Sequence, residues 1–255
     1  MDRFIHPDAK IGRNVEIGPF SYIAANVEIE DGTRIGPNVT IFDYARIGKE
    51  CRIYPGAVIA AEPQDLKFNG EETWVEIGDR TTIRECATVN RGTAASGKFL
   101  TKVGSDCLIM SYVHVAHDCH IGDHCIFSSY AAMAGETDVD DWAILGGGAL
   151  VHQFSHIGAH SMVGGGAAVN KDVPPYSLVA RNPIIFEGIN LVGLRRRGFS
   201  NEVIEEIRDM YRQIYDSDKN ISDACRVIRE LYPESPHRKI ILDFISNSSR
   251  GIVKR

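Results

Sequence analysis

Seven of the nine histidines fall in two stretches: His114, His117, His120 and His124, then His152, His156 and His160. Imidazole titrates close to neutral pH, so such a cluster suits general-base proton transfer or metal ligation. His6, His124 and His237 read as solvated residues with no chemical task. The six cysteines, at 51, 86, 107, 119, 125 and 225, form no Cys-x-x-Cys pair, which excludes a zinc ribbon and a thioredoxin-like motif. They read as reduced thiols. There is no P-loop. Gly146-Gly-Gly148 and Gly164-Gly-Gly166 open no helix and read as corner glycines, not phosphate cradles.

The elements that position these residues follow from a period of six. From Ile5 every sixth residue is isoleucine through Ile59, the phase resumes at Ile77, Ile83 and Val89, and it runs again from Val103 to Val169. All 25 positions are apolar and 23 are Ile, Val or Leu. Four residues after each aliphatic the side chain is small, as at Ala9, Val15, Ser21, Thr33, Cys51, Cys107, Cys119 and Cys125. Those cysteines are therefore small core fillers. One residue after the aliphatic, glycine recurs, as at Gly12, Gly104 and Gly122, and is expected to supply unusual backbone angles at a corner. Period six fits neither a helix nor a simple strand. It fits short strands joined by tight corners, stacked so that each coil covers the next: a β-solenoid.

Two segments break the phase, residues 60–76 and 90–102, and insertions in a solenoid project as loops from one face. The first carries Asp65 and Lys67. After Asp172-Val-Pro-Pro-Tyr176 the repeat is expected to end, because paired prolines withhold strand donors. From Ser200, an N-cap candidate, Val203, Ile204, Ile207, Met210, Tyr211 and Ile214 recur at helical spacing. Further helices are expected over about 221–232 and from Ser235-Pro236 onward. The chain thus divides into a solenoid over 1–187 and a helical unit over 188–255, which is too small for a core of its own and should pack on the solenoid or on a neighbouring subunit.

Charge follows the same division. Residues 1–187 carry a net charge of -9 and residues 188–255 a net of +3, within a total of -6. A basic end on an acidic body suits a phosphate or an acidic protein as partner, or simply a solvated face. The overall balance excludes a nucleic-acid binder held by bulk charge. No apolar run is long enough for a transmembrane helix and the first residues lack the zones of a signal peptide, so a soluble cytoplasmic protein is expected.

The hexads resemble those of the hexapeptide-repeat acyltransferases, and within them the UDP-N-acetylglucosamine O-acyltransferases. The matching segments include Ile17-Gly-Pro-Phe20, Gln64-Asp-Leu-Lys67, Arg91-Gly-Thr93, His114-Val-Ala-His-Asp-Cys119, Val151-His-Gln-Phe154, Asp172-Val-Pro-Pro-Tyr176 and Gly193-Leu-Arg-Arg-Arg-Gly-Phe-Ser200. The resemblance implies an all-β left-handed parallel β-helix, three strands to a coil of eighteen residues, followed by a small α-helical C-terminal domain. With that coil length, His117 at a corner has Gly135 stacked on it at about 4.8 Å, the spacing of neighbouring strands. A glycine N–H beside a base suits an oxyanion donor. His152 lies one column over and two coils up.

The resemblance further implies transfer of an (R)-3-hydroxyacyl chain from acyl carrier protein to the 3-hydroxyl of UDP-N-acetylglucosamine, the first step of lipid A biosynthesis. It assigns the general base to His117 and an orienting role to Asp118. It places Asp65, Lys67, His114, His152 and Gln153 around the sugar, Asn190 near the uracil, and Arg196 and Arg197 near the phosphates. It implies a homotrimer with sites between subunits, no metal, and no cofactor beyond the carrier's phosphopantetheine. Two positions depart from many members: Glu136 in place of a histidine, and Val192 in place of a glutamate. Gamma-type carbonic anhydrases share the fold and bind metal through histidines, but no segment of theirs is recognisable. The related lipid A N-acyltransferases carry an extra domain before the solenoid, whereas here the hexads start at Ile5. An acetyl-coenzyme A enzyme fits the long helical tail less well, and an ice-binding solenoid would need threonine ladders that are absent.

Overall fold

The computed structural model describes residues 2–217 and 219–255. Among them each hexad aliphatic lies in a short strand, which most of them close, as in Lys10–Ile11, His114–Val115 and Met162–Val163. The strands form three sheets of nine, eight and ten members, one for each side of a prism. Val115 pairs in parallel with Met133, Ile121 with Val139, and Phe127 with Leu145, so equivalent residues of successive coils stack. The inward aliphatics from Ile23 to Val169 are buried. Each such burial stabilises by about 1.5–3 kcal/mol, and their sum makes one continuous core. Ile11 is 37% exposed, because it lies in the first coil and no coil covers it from below.

The small inward residues do more than fill space. Thr33 Oγ1 donates to the Gly48 carbonyl at 2.7 Å, and Cys107 Sγ lies 3.2 Å from the Gly122 carbonyl oxygen. Hydroxyl and thiol thus tie one coil to the next in the same way.

The recurrent glycines have a different cause from the one expected. A Cβ on Gly122 would lie 2.2 Å from Asp141 Oδ1 and 2.7 Å from Asp141 N, and one on Gly104 would lie 2.4 Å from the Gly122 carbonyl oxygen. Glycine is needed there because the next coil approaches so closely. The left-handed backbone falls instead on the second corner residue, which is seldom glycine: Asn14, Glu50, Asp118 and Glu136 all have φ between 54° and 60°.

The repeat also continues beyond the paired prolines. Pro174 and Pro175 lie at a corner, with Pro175 and Tyr176 as its turn, where no strand donor is required, and Ser177–Ala180 then pairs in parallel with Met162–Val163, seating Val179 in the core. Ile185–Ile189 turns back antiparallel to it.

The two phase breaks project as loops, with the strands taking up their ends. Val58–Ala61 and Trp74–Ile77 bound the first, and Thr88–Asn90 and Leu100–Val103 bound the second.

Four helices follow among the described residues: α1 (Leu191–Arg196), α2 (Asn201–Tyr215), α3 (Ile221–Leu231) and α4 (Pro236–Asn247). Ser200 caps α2 through the Val203 N–H, and Ser235 caps α4. The apolar stripe of α2 packs with α3, α4, Tyr176 and Phe186 into a second core. The Tyr211 hydroxyl donates to the Pro175 carbonyl, and Val253 N–H to the Asp172 carbonyl at 2.9 Å, so helices and tail close the end of the prism. No helix among the described residues is long and apolar enough to cross a membrane.

Candidate active site

His117 and Asp118 form the corner after the strand His114–Val115. The positive φ of Asp118 turns its side chain back beside the ring, so that His117 Nδ1 lies 2.8 Å from Asp118 Oδ2. Asp118 is fully buried, and the second loop holds it there. Thr93 gives it both its N–H, at 2.8 Å to Oδ1, and its hydroxyl, at 2.7 Å to Oδ2. Thr101 Oγ1 accepts the Asp118 N–H at 2.7 Å, and Lys98 Nζ donates to the Asp118 carbonyl at 3.2 Å. A Cβ on Gly92 would come within 2.9 Å of Asp118 Oδ1, so only glycine lets the loop close over the carboxylate.

Burial presses the Asp118 carboxyl upward. The donors from His117, Thr93 and Ser96 outweigh it and hold the group below its ordinary value. The His117 imidazole is raised, first by its hydrogen bond to Asp118 and, against the opposing effect of burial, by the charges of Asp118, Asp65 and Glu136. With Nδ1 engaged by the carboxylate, Nε2 is the atom left for chemistry.

That edge of the ring faces Gly135. A Cβ there would lie 2.4 Å from His117 Cε1 and 2.5 Å from Nε2. On one edge of the prism the corresponding N–H is taken by an aspartate of the next coil, as with Ser105 N–H to Asp123 and Asp123 N–H to Asp141. The coil above Gly135 offers Gln153 instead, and among the described residues nothing accepts the Gly135 N–H. An imidazole nitrogen and a free backbone donor therefore sit side by side, the pairing that base-assisted acyl transfer requires.

The remaining expected residues divide into two groups. His114 lies beside His117 with Nδ1 2.7 Å from Thr88 Oγ1, and burial, aided by the His117 charge, pushes its imidazole down, keeping it neutral at pH 7. Asp65 reaches the same place from the first loop, where its carboxylate accepts the Lys67 N–H at 3.0 Å; Lys67 is exposed. His152 and Gln153 are exposed two coils up on the same edge.

Asn190, Arg196 and Arg197 lie elsewhere, lining a cavity of about 640 Å³ with His124, Trp142, Ile144 and Met162 on another edge and face. Asn190 is buried and caps α1, accepting the Gly193 N–H at 3.1 Å and donating to the His160 carbonyl at 2.9 Å. Arg197 donates to the Trp142 carbonyl at 2.8 Å, which fastens α1 to the prism, while Arg196 is exposed. The chain thus brings His117, Asp118, Gly135, His114 and Asp65 together but keeps the α1 residues apart from them. Among the described residues no set of three His, Cys, Asp or Glu side chains converges as metal ligands.

Sequence reasoning missed Thr93, Gly92, Thr101 and Lys98. Arg91-Gly-Thr93 and the segment that begins at Thr101 are recognisable in the sequence, but no task was attached to either.

A prism of stacked hexads with a corner histidine beside a backbone N–H fits the class of hexapeptide-repeat acyltransferases. The comparisons narrow it. Residues 8–43 and 100–135 match the bacterial transferase hexapeptide family, and residues 172–253 match the family described as UDP-N-acetylglucosamine O-acyltransferase, domain 2. The acyl-(acyl-carrier-protein)–UDP-N-acetylglucosamine O-acyltransferase of Chlorobaculum parvum is 58% identical over 97% of this chain and 96% of its own. That of Chlorobium phaeobacteroides is 62% identical over 97% and 93%. The crystal structure of a UDP-N-acetylglucosamine acyltransferase from Bacteroides fragilis superposes with a TM-score of 0.97 at 52% identity, covering 99% of this chain and 98% of that one. The chain belongs to the UDP-N-acetylglucosamine O-acyltransferases.

Proposed function

We propose that this chain transfers an (R)-3-hydroxyacyl group from acyl carrier protein to the 3-hydroxyl of UDP-N-acetylglucosamine, the first step of lipid A biosynthesis, in the cytoplasm. The observation that carries the mechanism is the His117 ring, fixed by Asp118 at 2.8 Å with its free edge against Gly135. His117 Nε2 removes the hydroxyl proton as the sugar oxygen attacks the thioester carbonyl. The tetrahedral oxyanion takes the Gly135 N–H. Its collapse breaks the C–S bond, and the imidazolium returns the proton to the departing phosphopantetheine thiolate, so no other cofactor is consumed. Asp118 orients the ring and stabilises its charged form. Asp65, Lys67, His114, His152 and Gln153 hold the sugar.

Asn190, Arg196 and Arg197 serve the nucleotide in this reading. Because they stand on a different edge from His117, the complete site needs the α1 edge of a neighbouring copy, which fits a homotrimer. Arginine forks match diphosphate geometry, and among the described residues the exposed Arg196 guanidinium has no partner.

The test is incubation of UDP-N-acetylglucosamine with a panel of (R)-3-hydroxyacyl carrier proteins, following nucleotide-sugar product. A 3-O-acylated product from at least one chain length is expected. No product from any carrier would refute the reading.

A further inference from the structure

Glu136 follows the oxyanion donor and is not needed by the prism. It stands at the second corner position one coil above Asp118, and its N–H donates to the His117 carbonyl at 3.0 Å, so its backbone is fixed directly over the His–Asp pair. Its φ of 58° matches the 60° of Asp118, so the two side chains leave their corners in the same sense. Their fates then differ. The shorter Asp118 is drawn inward by Thr93 and fully buried, whereas Glu136 is half-buried and, among the described residues, its carboxylate has no hydrogen-bond or ion-pair partner.

The charged and titratable groups around the His117 ring are few. Asp118 holds Nδ1; His114 stands on the adjoining strand; Asp65 comes from the first loop; Glu136 comes from the coil above; and Lys98 of the second loop is engaged with the Asp118 carbonyl and with Asp138 at 2.8 Å. The Asp118 charge is shared among several donors. The charge of Glu136 is shared with none.

Resting on the proposed role of His117, we propose that Glu136 is a positioning residue for the reaction: a carboxylate with no partner among the described residues, one coil above the His117 corner, which stabilises the imidazolium while it holds the acceptor's proton. The electrostatics agree, since the Glu136 charge raises the His117 imidazole. A carboxylate is suited to this because a site that closes over substrate strengthens its field. The sign is definite. Neutralising Glu136 makes the base easier to deprotonate but lowers its capacity to hold the proton taken from the sugar.

The test compares wild type with Glu136→Gln and Glu136→Asp as full-length protein. The acid limb of kcat/KM against pH and the titration of the His117 ring by NMR, assigned with His117→Ala, are both read. Glu136→Gln is expected to move both midpoints down by about half a pH unit, and to lower kcat roughly three- to tenfold with KM for the nucleotide sugar nearly unchanged. Glu136→Asp should retain most of both. Unmoved midpoints would overturn the inference. So would a Gln variant that raises KM alone, because Glu136 would then be a substrate contact. The NMR titration needs no activity, so failure of the base assignment, seen as an active His117→Ala variant, is distinguishable from failure of this proposal.

Discussion

Replacement of Gly135 by alanine separates the chemistry from the fold. The new methyl would lie 2.4 Å from His117 Cε1, 2.5 Å from Nε2 and 3.1 Å from Nδ1. Carbon and nitrogen atoms rest near 3.5 Å apart, so the ring must move by roughly 1 Å. The backbone cannot easily yield, because the corner above and below is tied by Glu136 N–H to the His117 carbonyl at 3.0 Å and Phe154 N–H to the Gly135 carbonyl at 3.2 Å. The ring can yield, since its side chain keeps 15% exposure and one edge is open. Its displacement stretches the 2.8 Å bond to Asp118, a charge-assisted contact of about 1.5–3 kcal/mol, and carries Nε2 off line. A misplacement of about 1 Å costs on the order of a hundredfold in rate. Gly135 does not have a positive φ, so alanine adds no backbone strain and the loss of stability should not exceed the about 1.5–3 kcal/mol of that contact. Steady-state acyl transfer with thermal unfolding alongside measures both. An alanine variant with near-normal kcat would refute the packing of ring against corner, and a variant that unfolds would refute the claim that the ring absorbs the clash.

Three further outcomes follow from the support of the base. In Asp118→Asn the main cause of the raised His117 imidazole is gone, so the acid limb of kcat/KM should move to lower pH while kcat falls roughly a hundredfold or more; a limb that stays or moves up contradicts the assignment. Because folded His117 lies above 6.5, its pairing contributes stability that is fully present below that value and lost as pH rises through the folded pKa, while the Asp118 contribution is present above 3.8 and lost as pH falls. Thr93→Val removes the 2.7 Å hydroxyl donor from a buried carboxylate, and chemical denaturation should show a loss of about 1.5–3 kcal/mol together with a reduced kcat, with Thr93→Ser near wild type in both. Equal stability of the Val variant would show that the hydroxyl does not hold Asp118.

The prism was legible because its coil has one side-chain period and every inward aliphatic reports it. The same regularity misled at the glycines: a corner suggests unusual φ, whereas Gly122 is dictated by Asp141 of the next coil, a neighbour nineteen residues away that no local rule considers. The prolines at 174 and 175 were judged as strand residues, but they occupy a corner, and Ser177–Ala180 still pairs. Helix α1 escaped notice because six residues with one buried side chain, Leu194, have almost no periodicity.

At the site, His117 and Gly135 could be matched by counting one coil. Thr93 could not be matched to Asp118, because a loop of irregular length separates them and the contact depends on how that loop folds back. Asn190 and Arg197 were visible as polar residues in a basic segment, but their bonds to the His160 and Trp142 carbonyls appear only once α1 lies against the prism.

The central claim is that His117 is the base, and its most direct measurement is kcat for acyl transfer to UDP-N-acetylglucosamine by His117→Ala against wild type, with the fold checked by circular dichroism. The account predicts wild-type folding with kcat reduced on the order of a hundred- to ten-thousandfold, the usual contribution of a positioned base. A folded His117→Ala variant retaining most of its kcat would contradict it.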